Sequence, residues 1–284
     1  MRLLVEHRVR LQFDEPQRAI MQSQRLTPAD FKGQTVVDWR VETLDGAEGA
    51  SFRDGAGDLI NTVRIGGPTQ AVEIVVSGTV ETTDTAGVLS GLREKVKPGA
   101  YMRPTRATRM DVALRDFAAE GLKDVAEAPQ LDRAHALCHA VNQTVSHGPD
   151  DTEDGQSASA KDVLHAETGS VCGQAHLLIA LALSANIPAR FVYGYAQDAQ
   201  PEDTRDPLIL EDGTTHGWAE LYIPKLGWVG FDPANGLSPD DRYVRLCSGL
   251  DAIDAAPIRM VASAVATDDT EIAVTIAATG QTQQ

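Results

Sequence analysis

Apolar and polar residues alternate along the first stretch of the chain. Between residues 5 and 13 every second residue is apolar or histidine, and the residues between them are charged or amidic. A period of two is typical of a half-buried β-strand. Similar runs follow at residues 35–43, 61–65 and 71–82, with turn residues such as Gly66-Gly67-Pro68 between them. The first hundred residues are therefore predicted to form a β domain.

The period changes after Lys97-Pro98-Gly99. Apolar residues then recur three and four positions apart, which predicts helices over residues 110–126, 131–145, 159–165 and 172–185. Strands are predicted again at residues 189–195, 217–222 and 228–232, and in two final runs at 258–266 and 271–277. The predicted division is a β domain over residues 1–98, then an α+β domain over residues 99–284 that ends in a β extension.

Charge and cysteine content limit the classes of partner. The chain has 41 acidic and 25 basic residues and a formal net charge of −16, which repels nucleic-acid phosphates and anionic lipid at long range. We therefore expect neither nucleic acid nor a membrane as a partner.

Three cysteines are too few for a disulfide framework. Charges interrupt the N-terminus, and no apolar stretch approaches the length of a membrane span. These features predict a cytoplasmic protein.

Cys172 is the first candidate for chemistry. It follows Gly169-Ser170-Val171, where a turn meets the predicted helix. The partial positive charge of a helix N-terminus favours a thiolate, and the unpaired N–H of Cys172 could stabilise an oxyanion. A lone cysteine is more often a small buried hydrophobic residue. Its partners therefore decide whether it is a nucleophile.

His216 and Asp232 are the candidate partners. His216 opens one predicted strand and Asp232 ends the next, with a turn at residues 224–227 between them. Pairing of these strands as a hairpin would bring both side chains to one edge of the sheet. There Asp232 could accept a hydrogen bond from one imidazole nitrogen and leave the other facing the thiol. Cys172, His216 and Asp232 are thus predicted to form a catalytic triad.

The motifs that carry these residues resemble, in order, those of bacterial transglutaminase-like proteins. A cysteine at a helix start is followed by Ile-Pro-Ala-Arg-Phe-Val-x-Gly-Tyr, His-x-Trp-x-Glu and Gly-Trp-Val-x-Phe-Asp-Pro. Residues 25–28 and 33–34 resemble the β domain that precedes the catalytic domain in one bacterial subgroup, and residues 240–259 resemble its C-terminal part. The resemblance implies an α+β fold: a β-sandwich-like N-terminal domain, then a papain-like domain whose cysteine-bearing helix packs on an antiparallel sheet.

The resemblance also implies the chemistry. Cys172 would be the nucleophile, His216 the general base and acid, and Asp232 the residue that orients His216. The expected activity is hydrolysis of a peptide, isopeptide or side-chain amide through a thioester, on a peptide or protein substrate, without cofactor or metal. Acyl transfer to an amine and a noncatalytic protein-binding module are the alternatives. The substrate-binding candidates are Gly173, Gln174, Gly217, Trp218 and Asn235, although Trp218 could equally pack its strand.

The turn after the nucleophile departs from the family pattern. Many relatives have an acidic residue there, whereas this chain has Gly173-Gln174 and is one residue shorter before His176. No second oxyanion donor is identifiable, and Gln143, His147 and Gln156 are only candidates.

Two other histidine arrangements compete with the triad. His176 lies four residues after Cys172 and could replace His216 as its partner. His135, Cys138 and His139 could suggest a zinc site, but the cysteine lies nearer the apolar side of the predicted helix.

Overall fold

The computed structural model describes residues 1–150, 157–197, 205–211, 215–264 and 266–276. These residues form an α+β structure with two main antiparallel sheets. The helices are α1 (Val112–Leu122), α2 (Gln130–Thr144), α3 (Ala160–Ala166), α4 (Val171–Ser184) and α5 (Ala252–Ala255). The strands are β1 (Arg2–Thr27), β2 (Gln34–Thr43), β3 (Gly46–Arg53), β4 (Leu59–Thr82), β5 (Val88–Leu89), β6 (Ser146–His147), β7 (Thr168–Gly169), β8 (Ala189–Ala196), β9 (His216–Ile223), β10 (Gly227–Phe231), β11 (Tyr243–Gly249), β12 (Ile258–Val261) and β13 (Thr267–Ile276).

The first sheet is built on two long strands, β1 and β4. Its order is β12-β1-β4-β2, with β13 also paired to β1 and β3 to β4. The predicted break at Gly66-Gly67-Pro68 is wrong, because β4 runs through it and β1 follows with shifts in register. A Cβ at Gly67 would lie 2.0 Å from the backbone oxygen of Gln17. The glycine marks a close approach of two backbones.

The second sheet packs against the helical part of the molecule. Its order is β11-β8-β9-β10-β5, and all its pairs are antiparallel. Helix α4 packs on β8 and β9, and every residue from Val171 to Ala182 is buried. A helix that is apolar on all sides belongs inside a core. Within the described ranges, no helix is both long and apolar enough to cross a bilayer.

Strand pairing crosses the predicted division at residue 98. Strand β5 lies before it but pairs with β10 of the second sheet, and β12 and β13 return to pair with β1 of the first. The C-terminal β extension thus completes the N-terminal sheet. The division into residues 1–98 and 99–284 itself stays a prediction.

Buried ion pairs connect the second sheet to the loop before β4. Glu220 of β9 accepts hydrogen bonds from Nε of Arg190 at 2.6 Å and from Nε of Arg245 at 2.8 Å. Arg245 also reaches Asp58 at 3.2 Å, and Arg190 reaches Glu94 at 2.7 Å. Burial alone would raise the pKa of Glu220, but the two guanidinium groups hold it below its usual value.

Candidate active site

Ser170 and Asp150 fix the start of the helix that carries Cys172. The hydroxyl of Ser170 caps α4 by accepting a hydrogen bond from the backbone N–H of Gly173 at 3.0 Å. The carboxylate of Asp150 accepts from the N–H of Ser170 at 2.8 Å and from its hydroxyl at 2.7 Å. Cys172 therefore lies in the first turn. Its own backbone N–H has no acceptor within the described part of the chain.

The Cys172 thiol lies in a nearly closed environment. Only 7% of the residue is exposed, and Sγ is 3.7 Å from the hydroxyl of Tyr193. Burial and the nearby Glu211 carboxylate raise the pKa of the thiol to about 12, although hydrogen bonding with Tyr193 acts in the opposite direction. The resting thiol is thus protonated at neutral pH. A nucleophilic role therefore requires a base.

His216 and Asp232 lie where the predicted hairpin placed them. Strands β9 and β10 pair with Phe231 opposite Ala219, which brings the first residue of β9 close to the residue after β10. Nε2 of His216 is 2.7 Å from Oδ2 of Asp232, and both side chains are buried. Burial would raise the pKa of Asp232, but His216 and its other hydrogen-bond donors hold it below its usual value. The Asp232 carboxylate therefore stays ionised and holds the imidazole proton on Nε2.

The residue after His216 lies against the Cys172 thiol, and the second imidazole nitrogen is free in the part of the chain that the structure describes. Nδ1 of His216 is buried and has no hydrogen-bond partner among the described residues. A Cβ at Gly217 would lie 2.9 Å from Sγ of Cys172. Tyr193 pairs with Gly217 across β8 and β9, so both lie beside the start of α4. In the tautomer with its proton on Nε2, the ring carries a lone pair on Nδ1.

Three side chains hold the His216 and Asp232 pair in place. The hydroxyl of Tyr243 and the side-chain amide of Asn235 each donate to Oδ2 of Asp232 at 2.8 Å. The buried Trp218 ring stacks on His216 with ring centroids 6.2 Å apart, and meets Tyr243 edge to face. The carboxylate and the ring therefore have little freedom to turn away from each other.

Two family profiles match this chain. The core of the Transglutaminase-like superfamily matches residues 118–233, which include Cys172, His216 and Asp232, and the Bacterial transglutaminase-like N-terminal region matches residues 3–81. The chain is a member of the transglutaminase-like superfamily.

Relatives of the transglutaminase-like protein span nearly its whole length. It is 25% identical to Uncharacterized protein ML0607 of Mycobacterium leprae. The match covers 97% of this chain and 98% of that relative. It is 25% identical over 82% of its length to Uncharacterized protein Rv2569c of Mycobacterium tuberculosis, of which 79% is covered. A solved structure of a proposed cysteine protease from Cytophaga hutchinsonii has a TM-score of 0.72 and 20% identity, over 96% of this chain and 90% of that one. The predicted fold class is confirmed.

The five substrate-binding candidates occupy different surroundings in the transglutaminase-like protein. Gly217 borders the thiol, and Trp218 is buried against His216. Gln174 is buried and donates to the backbone oxygen of Gly169 at 3.1 Å. Gly173 lies against Asp150, where a Cβ would be 2.8 Å from its carboxylate. Asn235 binds Asp232 and accepts from the N–H of Ile209 at 2.6 Å. The side chains of Gln174, Trp218 and Asn235 are therefore engaged by the protein itself.

His176 cannot replace His216 as the partner of Cys172. Its Nδ1 lies 2.9 Å from the backbone oxygen of Ala158, and its Nε2 accepts from the N–H of Ala252 at 3.0 Å. Burial lowers the pKa of His176, so the ring is neutral with both nitrogens occupied. It joins the segment before α3 to the start of α5.

The other candidates from the sequence lie away from the thiol or outside the described residues. Gln143 and His147 are exposed and make no hydrogen bond to Cys172, and Gln156 lies outside the described residues. His135 packs edge-on against Phe231, with ring centroids 5.0 Å apart. Across the described ranges, no group of three His, Cys, Asp or Glu side chains could hold a metal ion.

Glu211 is a site residue that no sequence motif indicated. Its Oε1 accepts a hydrogen bond from the N–H of Val171 at 2.9 Å, at the first residue of α4. The carboxylate thus lies at the positive end of the helix, beside Cys172, and opposes ionisation of the thiol. The sequence did not indicate Glu211 because residues 205–211 match no recognisable motif and show no hydrophobic periodicity.

Glu211→Gln is expected to lower the pKa of Cys172. The amide oxygen can still accept from Val171, but the negative charge that raises the thiol pKa is gone. We expect the pH midpoint for alkylation of Cys172 by iodoacetamide to fall by about one unit, which speeds labelling near pH 8 about tenfold. Peptide-mapped rates between pH 6 and pH 11 lie on the rising limb below the midpoint, and the displacement of that limb along the pH axis between the variant and the wild type measures the shift. Glu6→Gln, on the exposed face of β1, should leave the midpoint unchanged. An equal shift in both variants would contradict a local effect of Glu211.

Proposed function

We propose that this transglutaminase-like protein is a cysteine-dependent hydrolase of amide bonds in peptides or proteins. Cys172 is the nucleophile, His216 is the general base and acid, and Asp232 orients His216. The observation that carries the proposal is the His216 imidazole, whose Nε2 is held by a carboxylate and whose buried Nδ1 has no partner among the described residues. The next residue, Gly217, borders a thiol in the first turn of a helix. The superfamily match and the shared fold support the assignment to this class of enzyme.

The first half of the reaction forms a thioester. Sγ of Cys172 attacks the carbonyl carbon of the substrate amide while its proton passes to Nδ1 of His216. Negative charge then develops on the carbonyl oxygen, where the N–H of Cys172 and the hydroxyl of Tyr193 can donate hydrogen bonds. Nδ1 returns the proton to the nitrogen of the leaving amine, and the C–N bond breaks. The acyl group remains on Sγ.

The second half releases the acyl group. Water attacks the thioester carbon while Nδ1 of His216 takes a proton from it, and the carboxylic acid leaves as the proton returns to Sγ. Asp232 stabilises the imidazolium in both halves without accepting its proton, because its pKa is held below its usual value. The protonated resting thiol fits this order, since its proton moves only as the sulfur attacks.

Covalent labelling tests the nucleophile. We expect iodoacetamide to alkylate Cys172 in preference to Cys138 and Cys247, which are also buried, and we expect His216→Ala to remove the preference. Equal slow labelling of the three cysteines would contradict the proposal.

Product analysis tests the reaction. Wild type and Cys172→Ala are incubated with a peptide and amide library, with and without added amine, and the products are read by mass spectrometry. Hydrolysed products that require Cys172 are expected. Amine-containing products would identify an acyl transferase instead, and the absence of both would favour a noncatalytic binding module.

A further inference from the structure

A cleft of about 390 Å³ is lined by His176, which lies one turn after Cys172 on α4. It lies between the loop before α1, the start of α3 and the start of α5. Ser157 lines this cleft, and the next residue, Ala158, contacts both Asp150 and His176 beside the first turns of α4. His176 lines it as well and fixes the neighbouring Ala158 and Ala252. Residues four apart share one face of a helix, so the cleft borders the face of α4 that carries Cys172.

Three cationic side chains surround the cleft. Arg106, Arg109 and Lys161 all line it and all are exposed. Within the described part of the chain none of them has an ion-pair partner, in contrast to the buried Arg190 and Arg245. The same lining also contains three carboxylates, so what distinguishes the cations is that no ion pair occupies them within the described ranges.

The acidic residues of the same cleft are occupied by the protein. Asp111 accepts from the N–H of Leu114 at 2.9 Å and caps α1. Asp162 accepts from the hydroxyl of Ser159 at 2.5 Å, and Asp251 accepts from the N–H of Asp254 at 2.7 Å. Each carboxylate thus stabilises the first turn of a helix. The carboxylates keep their negative charge, but within the described ranges none of them forms an ion pair with the three cations, whose N–H donors are therefore open to a ligand.

We propose that this cleft is the substrate subsite that binds an acidic side chain next to the amide that Cys172 attacks. Guanidinium groups bind carboxylates through paired hydrogen bonds, and Lys161 adds a third charge. Met110 and Ile253 supply apolar surface for the methylene groups that carry such a carboxylate. The assignment rests on the proposed hydrolase function and narrows its substrates to acidic peptides.

Two alkylating reagents measure the electrostatic potential near the cleft, and the measurement does not require catalytic turnover. Iodoacetate is anionic and iodoacetamide is its neutral, nearly isosteric counterpart, so the ratio of their rates at Cys172 reports the local potential. Arg106→Gln/Arg109→Gln is expected to lower this ratio about threefold or more and to leave the iodoacetamide rate unchanged. Arg2→Gln/Arg18→Gln makes the same change in net charge far from the cleft and should preserve the ratio. An equal ratio in both double variants would overturn the proposal.

Binding to the inactive Cys172→Ala variant separates this proposal from the proposed function. The probes are a fluorescent hexapeptide of alternating alanine and glutamate, the same peptide with glutamine, and the same peptide with phosphoserine. We expect the glutamate peptide to bind at least about tenfold more tightly than the glutamine peptide, and Arg106→Gln/Arg109→Gln to remove the difference. Equal binding of the first two peptides, or preference for phosphoserine, would overturn the carboxylate assignment even if the protein proved to be a hydrolase.

Discussion

Asp232→Asn is expected to lower kcat for amide cleavage by about 10³- to 10⁴-fold. The carboxylate now accepts from Nε2 of His216 and so keeps the lone pair on Nδ1. An asparagine amide can donate to Nε2 instead, which places the ring proton on Nδ1 and removes the base that Cys172 needs. The kinetic constants for a substrate found in the library experiment measure the effect.

Tyr243→Phe is the matched control for this prediction. It removes one of the donors to Oδ2 of Asp232 but keeps the carboxylate and the stacking with Trp218. We expect kcat to fall about tenfold or less, with KM unchanged. If Asp232→Asn stayed within tenfold of the wild type while remaining folded, a different group would have to orient His216.

The elements that carry the triad could be predicted from the sequence because their signals are local. The apolar run that ends at Asn186 gave α4 to within one residue, and alternating residues around a turn gave β9 and β10. Once those strands pair, the meeting of His216 and Asp232 follows from chain order alone. The contact was therefore predictable even though each residue by itself was ambiguous.

The surroundings of the triad depend on contacts between distant parts of the chain. Strand β11 was not predicted because Arg245 interrupts its apolar pattern, and that arginine is buried only because Glu220 and Asp58 neutralise it. Without β11, Tyr243 could not be placed on Asp232. Tyr193 reaches the thiol for a similar reason, since the pairing of β8 with β9 sets its position beside Gly217. Periodicity along one segment holds no information about such partners.

Glu220→Ala is expected to lower the free energy of unfolding by about 3–5 kcal/mol. Glu220 is buried between Arg190 and Arg245, and its removal leaves two buried guanidinium groups without their shared carboxylate. Urea denaturation at pH 7 measures the loss. Glu42→Ala removes an exposed carboxylate that pairs with Arg40 and should cost less than about 1 kcal/mol.

The pH dependence of the same variant identifies the cause of the loss. Because the pKa of Glu220 is lower in the folded protein than its ordinary value of 4.5, its stabilising effect is present above that pH. This stabilisation is lost as the pH falls through the pKa that Glu220 has in the folded protein, because the unfolded chain binds the proton more readily. The difference in the free energy of unfolding between the wild type and Glu220→Ala should therefore decrease as the pH falls below about 4.5. A gap that stayed constant down to pH 3 would show that lost packing, not the ion pairs, explains the destabilisation.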